Sequence, residues 1–224
     1  IAVPILEDLK LKSFFFINSI NLSSKPDHLE LYRAFRHLCY ENIENFYEDF
    51  FKSLQIKNLD LFFKKKLKII RHWKIKFPFY SYSDIRFRIL REYLIDEVQY
   101  KKIMFNLFKK KKFDYKKKLQ EVYMNKRDLK KLSNLNHNIG LHSHSHPTIM
   151  RMEPRNKQIN EYTKNKKILE KIILKEINSM AHPCGSYNKF TLKILDKLKI
   201  DIGFRSTLMV DMQIKKINNS KFEI

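Results

Sequence analysis

Apolar positions in this chain follow two rhythms. Ile5, Leu6 and Leu9 recur at helical spacing, so Ile1 to Leu9 reads as the end of an amphipathic helix. Lys12 to Asn18 is a short, nearly continuous apolar run and predicts a strand buried on both faces, as in a parallel sheet. From Asn125 the alternation becomes regular. Asn125 is placed to cap a short helix, with Asp128 in its first turn and Leu129 and Leu132 inward. A strand is predicted at Asn138 to Leu141. A longer helix then opens at Pro154 and Asn156, with Ile159, Tyr162, Leu169, Ile172 and Ile173 on one side. Another strand follows at Asn178 to Ala181, then a helix capped by Asn188 with Leu192, Leu195 and Leu198 inward, and a strand at Asp201 to Arg205. Helix and strand joined by short connections predict a parallel α/β sheet or barrel.

Between these parts, about Ser19 to Tyr123, the rhythm is helical throughout, as in Phe46 to Leu54 and Ile85 to Leu94. The stretch is aromatic and basic, with Lys runs at Lys64 to Lys66 and Lys109 to Lys112 and a break at Pro78. It reads as a helical insertion, a lid or docking surface, within one domain spanning residues 1–224. Its aromatic residues at three- and four-residue spacing predict core. Tyr80 and Tyr82 are read as packed or surface residues ahead of a sugar site.

Chemistry concentrates at one predicted strand end. His142, His144 and His146 fall within five residues, between the apolar run ending at Leu141 and Pro147. Three readings stand on residue types alone. The loop is rich in His by chance; or it holds a metal by a His-x-His pair, His142 with His144 or His144 with His146; or His142 pairs with His146, four apart and on one side of a turn. Ser143 after the first His excludes the zincin signature. The turn His182-Pro183-Cys184-Gly185-Ser186 falls at a second strand end. In parallel α/β folds the carboxyl ends of strands carry the chemistry.

Composition changes the picture only in part. At 43% hydrophobic, the 224 residues suffice for a substantial core. No apolar run has membrane-spanning length and no secretory leader is evident. The first residue is Ile, so the start of the gene product is expected to lie upstream. Cys39 and Cys184 are far apart without a CxxC, which fits a reduced, cytoplasmic protein and argues against a disulfide framework. The net charge of +22 is mostly Lys in helical stretches. Arg is sparse and no nucleic-acid-binding pattern is present, so no nucleic-acid partner is expected. A membrane surface met through the Lys-rich insertion is the alternative anionic partner.

With both turns in place, the chain resembles the polysaccharide deacetylase family, the carbohydrate esterases with a NodB-type domain. His142-Ser143-His144-Ser145-His146-Pro147 fits the family's His-Ser/Thr-x-x-x-His motif, and Ser179 to Asn188 resembles its Pro-aromatic-Gly turn. Ala2 to Leu6 with Lys12 to Phe16, and Ile202 to Arg205, extend the resemblance, which covers the first eighteen residues and about Asn125 to Thr207. It implies a distorted (β/α) barrel and a divalent metal, most often zinc, held by an Asp and two His. The implied reaction is hydrolysis of N-acetyl groups on an amino sugar of a glycan or glycan precursor, in cell-surface polysaccharide assembly.

Carried over, His142 and His146 are the metal ligands, Ser143 supports the loop, and the Cys184 backbone N–H serves the oxyanion. The Cys184 thiol is expected as a small packed group. His182 is a supporting donor beside the site or turn filler, and Ala181 stands where many members have Arg. The family's Asp-Asp motif would precede Ile1 and its late His motif would follow Ile224, so a chain truncated at both ends is expected. Asp196, Asp201 and Asp211 read as solvated carboxylates. The alternatives are an amidohydrolase-like metal hydrolase, and an inactive basic barrel that binds anionic glycan or membrane.

Overall fold

The computed structural model describes residues 2–23, 26–54, 56–205 and 220–224. Asp211 lies outside the described residues. The chain divides into two units, Ile1–Asp27 with Tyr123–Ile224, and His28–Val122.

In the first unit, helix α1 (Ala2–Asp8) leads into strand β1 (Phe14–Ile17). Helix α9 (Lys126–Asn134) precedes β2 (Asn138–Leu141), α10 (Arg155–Ile173) joins it to β3 (Ser179–Ala181), and α11 (Lys189–Lys197) joins that to β4 (Ile202–Phe204). All four strands are parallel, in the order β1-β2-β3-β4. The mixed α/β class with a parallel sheet is as expected. Among the described residues the sheet stays an open arc rather than a closed barrel.

Registers of Ile17 with Leu141, Leu141 with Met180, and Met180 with Gly203 bring the strands' carboxyl ends together. The chain's last residues continue the arc. Gly203 N–H donates to the Lys221 carbonyl at 2.9 Å, and Arg205 N–H to the Ile224 carbonyl at 2.8 Å.

The predicted caps form. Asn125 and Asn188 each accept backbone N–H groups in their first turn, and Asp128 and Thr191 bond back to complete two capping boxes. One face of the sheet, Phe15, Ile17, Ile139, Leu141 and Met180, packs on Leu129, Leu132, Tyr162, Leu169 and Leu195 of the helices. β1 is not buried on both faces as its composition suggests. Strand alternation turns Phe14 and Phe16 to the opposite side. There they meet the Phe204 ring at 5.2 and 5.3 Å, and Phe14 stays 43% exposed. Gly140 makes room for this cluster, since a Cβ there would lie 2.5 Å from the Phe16 ring.

The second unit is helical: α2 (Leu29–Cys39), α3 (Ile43–Ser53), α4 (Leu59–Lys65), α5 (Leu67–Lys76), α6 (Tyr82–Tyr93), α7 (Glu97–Lys110) and α8 (Tyr115–Val122). Its aromatic positions form a core of Phe35, Phe46, Phe50, Phe87 and Phe108, with edge-to-face pairs such as Phe35–Phe108 at 4.7 Å. Lys64 and Lys65 close α4, and Lys109 and Lys110 close α7, where cations complement the helix dipole. These four lysines therefore have a local structural role. Residues 19–27, read from sequence as part of the insertion, belong to the sheet unit instead.

Candidate metal centre

β2 ends at Leu141, and the loop that follows is not helical. Ser143 and His146 both take left-handed backbone angles, φ 60° and 58°, which cost energy for residues with a Cβ. Three buried polar side chains hold the loop in that shape. Ser143 is fully buried, and its Oγ accepts the His146 N–H at 3.1 Å. Asn165 of α10 accepts the His142 N–H at 3.0 Å and donates to the Ile17 carbonyl of β1 at 3.0 Å, tying two strand ends together. Glu161 of α10 accepts both the Ser145 N–H at 2.7 Å and its hydroxyl at 2.6 Å.

The outcome is a pair of converging imidazoles. His142 Nε2 and His146 Nε2 lie 3.1 Å apart, with ring centroids at 4.8 Å. His142 Nδ1 sits 2.9 Å from the Ala181 carbonyl, an acceptor only. Nδ1 therefore carries the proton, and Nε2 presents its lone pair toward His146. Burial holds the His142 pKa below its ordinary value, with the Ala181 hydrogen bond opposing and His146 adding to the effect. The ring is neutral at pH 7, the state a metal ligand needs.

His144 points elsewhere. Its Nδ1 meets Ser19 Oγ at 2.9 Å, and its carbonyl accepts the Ile20 N–H at 2.9 Å. It is a buried tie between the β1 and β2 turns, so neither His-x-His pairing forms.

At the end of β3, His182 is 2% exposed and stacks on Tyr187 at 4.1 Å. Its Nε2–H donates to the Phe222 carbonyl at 2.9 Å, while Nδ1 is buried with no hydrogen-bond partner. Burial pushes its pKa down to about 4, against the raising effect of the Phe222 bond. Tyr187 donates in turn to Glu223 at 2.7 Å. The His182 ring is thus a donor that ties the last residues of the chain to the turn after β3.

Cys184 follows in a left-handed turn, φ 51°, and is exposed, so its thiol is not the packed group expected from sequence. Asp196 and Asp201 are exposed; the first lies 3.8 Å from Lys221 and the second accepts from Asn178 at 2.9 Å. Among the described residues no cluster of three His, Cys, Asp or Glu side chains forms. The two histidines fit half of a zinc-type site: two ligands of one tetrahedral ion stand about 3.3 Å apart. A cavity of about 440 Å³, lined by Ser19, Leu22, Lys130 and Ile172 among others, opens between α9 and α10 and does not include this pair.

Sequence reading missed Gln158, Glu161 and Asn165. The helical pattern put Ile159 on the inner face of α10, yet it is 46% exposed, while the three polar residues are buried. Their three- and four-residue spacing was the available signal: a polar stripe on the buried side of a helix, facing loops rather than side chains of the sheet.

Residues 96–203 match the family model described as polysaccharide deacetylase. A comparison with curated proteins found no match. Among solved structures, the chain is similar to the Streptococcus pyogenes deacetylase PplD in complex with acetate, at 20% identity and a TM-score of 0.40, covering 46% of this chain and 43% of that one. It is similar to the BpsB deacetylase domain from Bordetella bronchiseptica, at 13% identity and a TM-score of 0.39, covering 46% and 48%. It is also similar to wild-type BA3943 of Bacillus anthracis, a CE4 family pseudoenzyme, at 23% identity and a TM-score of 0.32, covering 34% and 26%. The chain spans less than half the length of each.

Proposed function

From the match of residues 96–203 to the polysaccharide deacetylase family model, we propose that the chain acts in the metal-dependent removal of N-acetyl groups from the amino sugars of a glycan. The observation that supports this reading is the convergence of His142 Nε2 and His146 Nε2 at 3.1 Å at the carboxyl end of β2. A divalent cation, zinc by the preference of imidazole ligands, would be held there by these two rings, and when bound it supplies Lewis-acid activation of water.

The chain's own residues do the positioning. The Ala181 carbonyl fixes the His142 tautomer. Asn165 fixes the His142 backbone against β1, and Glu161 and Ser143 hold the strained loop that aims His146. The backbone N–H of Cys184, in the turn after β3, is the proposed donor to the oxyanion of the acetyl carbonyl.

The test is acetate release from N-acetylglucosamine oligomers by zinc-loaded protein, with and without a chelator. Release that stops on chelation and in His142→Ala supports the reading. Zinc retention without acetate release favours a second reading, an inactive family member that binds glycan. That reading draws on the absence, among the described residues, of a third His, Cys, Asp or Glu side chain completing a metal-holding group with the histidine pair.

A further inference from the structure

The helical unit presents an ordered apolar tip between α5 and α6. Ile75 is 82% exposed and Phe79 is 75% exposed. The segment between them is not slack. Lys74 Nζ donates to the Pro78 carbonyl at 2.9 Å and the Tyr80 carbonyl at 2.6 Å, closing the turn around its own ammonium. The Phe77 and Phe79 rings stand 5.4 and 4.6 Å from Tyr80, and the Arg88 guanidinium covers Tyr80 at 4.1 Å. Ser81 then caps α6 through the Asp84 N–H. A turn braced in this way holds two large apolar side chains in water, an arrangement that single scattered surface residues do not explain.

Along the sequence, the charge through the tip has one sign, and Asp84, where α6 begins, is paired with Arg88. No acidic residue occurs between Asp60 and Asp84, and every charged side chain in that interval is Lys or Arg. Lys68 and Arg71 are exposed and fall at helical spacing with Ile75, so they line one edge of α5 behind the apolar end. No helix among the described residues is long and apolar enough to cross a membrane.

We propose that this tip docks on an anionic lipid surface, with Ile75 and Phe79 entering the headgroup boundary and Lys68, Arg71 and Lys76 meeting the lipid phosphates. Apolar insertion backed by cations is the physics of interfacial attachment. A nucleic acid or soluble polyanion would use the cations and leave the apolar pair unaccounted for.

The full chain carries its own reporter, since Trp73 is the only tryptophan and belongs to α5. Vesicles of phosphatidylcholine alone, or with phosphatidylglycerol, are titrated into the protein while sedimentation and Trp73 emission are read. Binding to the anionic vesicles with a blue shift is expected. The Ile75→Ser/Phe79→Ser variant, its helical circular dichroism unchanged, should bind about tenfold or more weakly and lose the shift. Lys68→Glu/Arg71→Glu should weaken binding while leaving a residual shift at high lipid. The proposal is overturned if the anionic vesicles are not bound. It is equally overturned if Ile75→Ser/Phe79→Ser binds them as the parent does, which would mark a purely electrostatic surface for any polyanion.

Discussion

His142 Nε2 and His146 Nε2 stand 3.1 Å apart, while the His144 ring between them in sequence is turned to Ser19. The pairing predicts opposite behaviour for neighbouring histidines. His142→Ala and His146→Ala should each lower zinc affinity by at least about a hundredfold, measured by competition with a chromophoric chelator, because each removes a proposed ligand. His144→Ala should leave zinc affinity within a few-fold. It should instead destabilise the fold by about 1–3 kcal/mol in urea, since Ser19 loses a buried partner. Loss of zinc in His144→Ala with retention in His146→Ala would contradict the pairing.

The polar stripe of α10 makes the second prediction. Asn165→Leu strands the His142 N–H and the Ile17 carbonyl together, at a cost of about 2–5 kcal/mol in urea unfolding. Glu161→Leu removes both acceptors, so the Ser145 N–H and hydroxyl lose their partner on α10. Because the loop then aims His146 less firmly, zinc affinity should fall by about 10–100-fold, as for other groups that orient ligands. Zinc affinity unchanged in both variants would show that the loop holds its shape without α10.

Much of this was legible in the sequence, for definable reasons. The caps at Asn125 and Asn188 and the apolar runs of β1 to β4 announce themselves because capping and strand burial are local physics. The His142–His146 pair was one of three options, since spacing alone does not say which way His144 turns. What stayed hidden is long-range. Asn165 reaches 148 positions back to Ile17, and His182 reaches 40 forward to Phe222. A helical wheel scores Gln158, Glu161 and Asn165 as solvent-facing because it assumes that the inside is apolar.

Acid should weaken the fold through His182. Burial holds its folded pKa at about 4, below the ordinary 6.5. Physically, a proton added at Nδ1 meets no acceptor. Above pH 6.5 both states are neutral and the full stability is present; as pH falls toward 4 the unfolded chain takes up the proton and the folded one does not. About 1.4 kcal/mol per unit is then lost, or about 3 kcal/mol across the window. His142 and His144, both shifted down by burial, add in the same direction. Urea midpoints at pH 7.5 and pH 5 should show this slope, and His182→Gln, which keeps a donor for Phe222, should flatten it. An unchanged slope in the variant would assign the acid sensitivity to other groups.

Gly203 supplies the last prediction, which ties β4 to His182. A Cβ at this position would lie 2.8 Å from both the Phe222 Cα and its carbonyl oxygen, and neither is a flexible side-chain end. In Gly203→Ala the run 221–224 must therefore move away from β4, loosening the Gly203–Lys221 and Arg205–Ile224 bonds. A loss of about 1–3 kcal/mol is expected in urea, the usual cost of overpacking. The same movement withdraws the Phe222 carbonyl from His182 and admits water to the ring. Losing the Phe222 bond removes one raising effect, but water at the ring relieves the burial that dominates, so the His182 pKa, read from its imidazole proton resonances, should rise from about 4 toward 6.5, and the acid slope of the variant should shrink with it. A variant as stable as the parent, with His182 titrating where it did before, would mean that the last residues do not cover this histidine in solution.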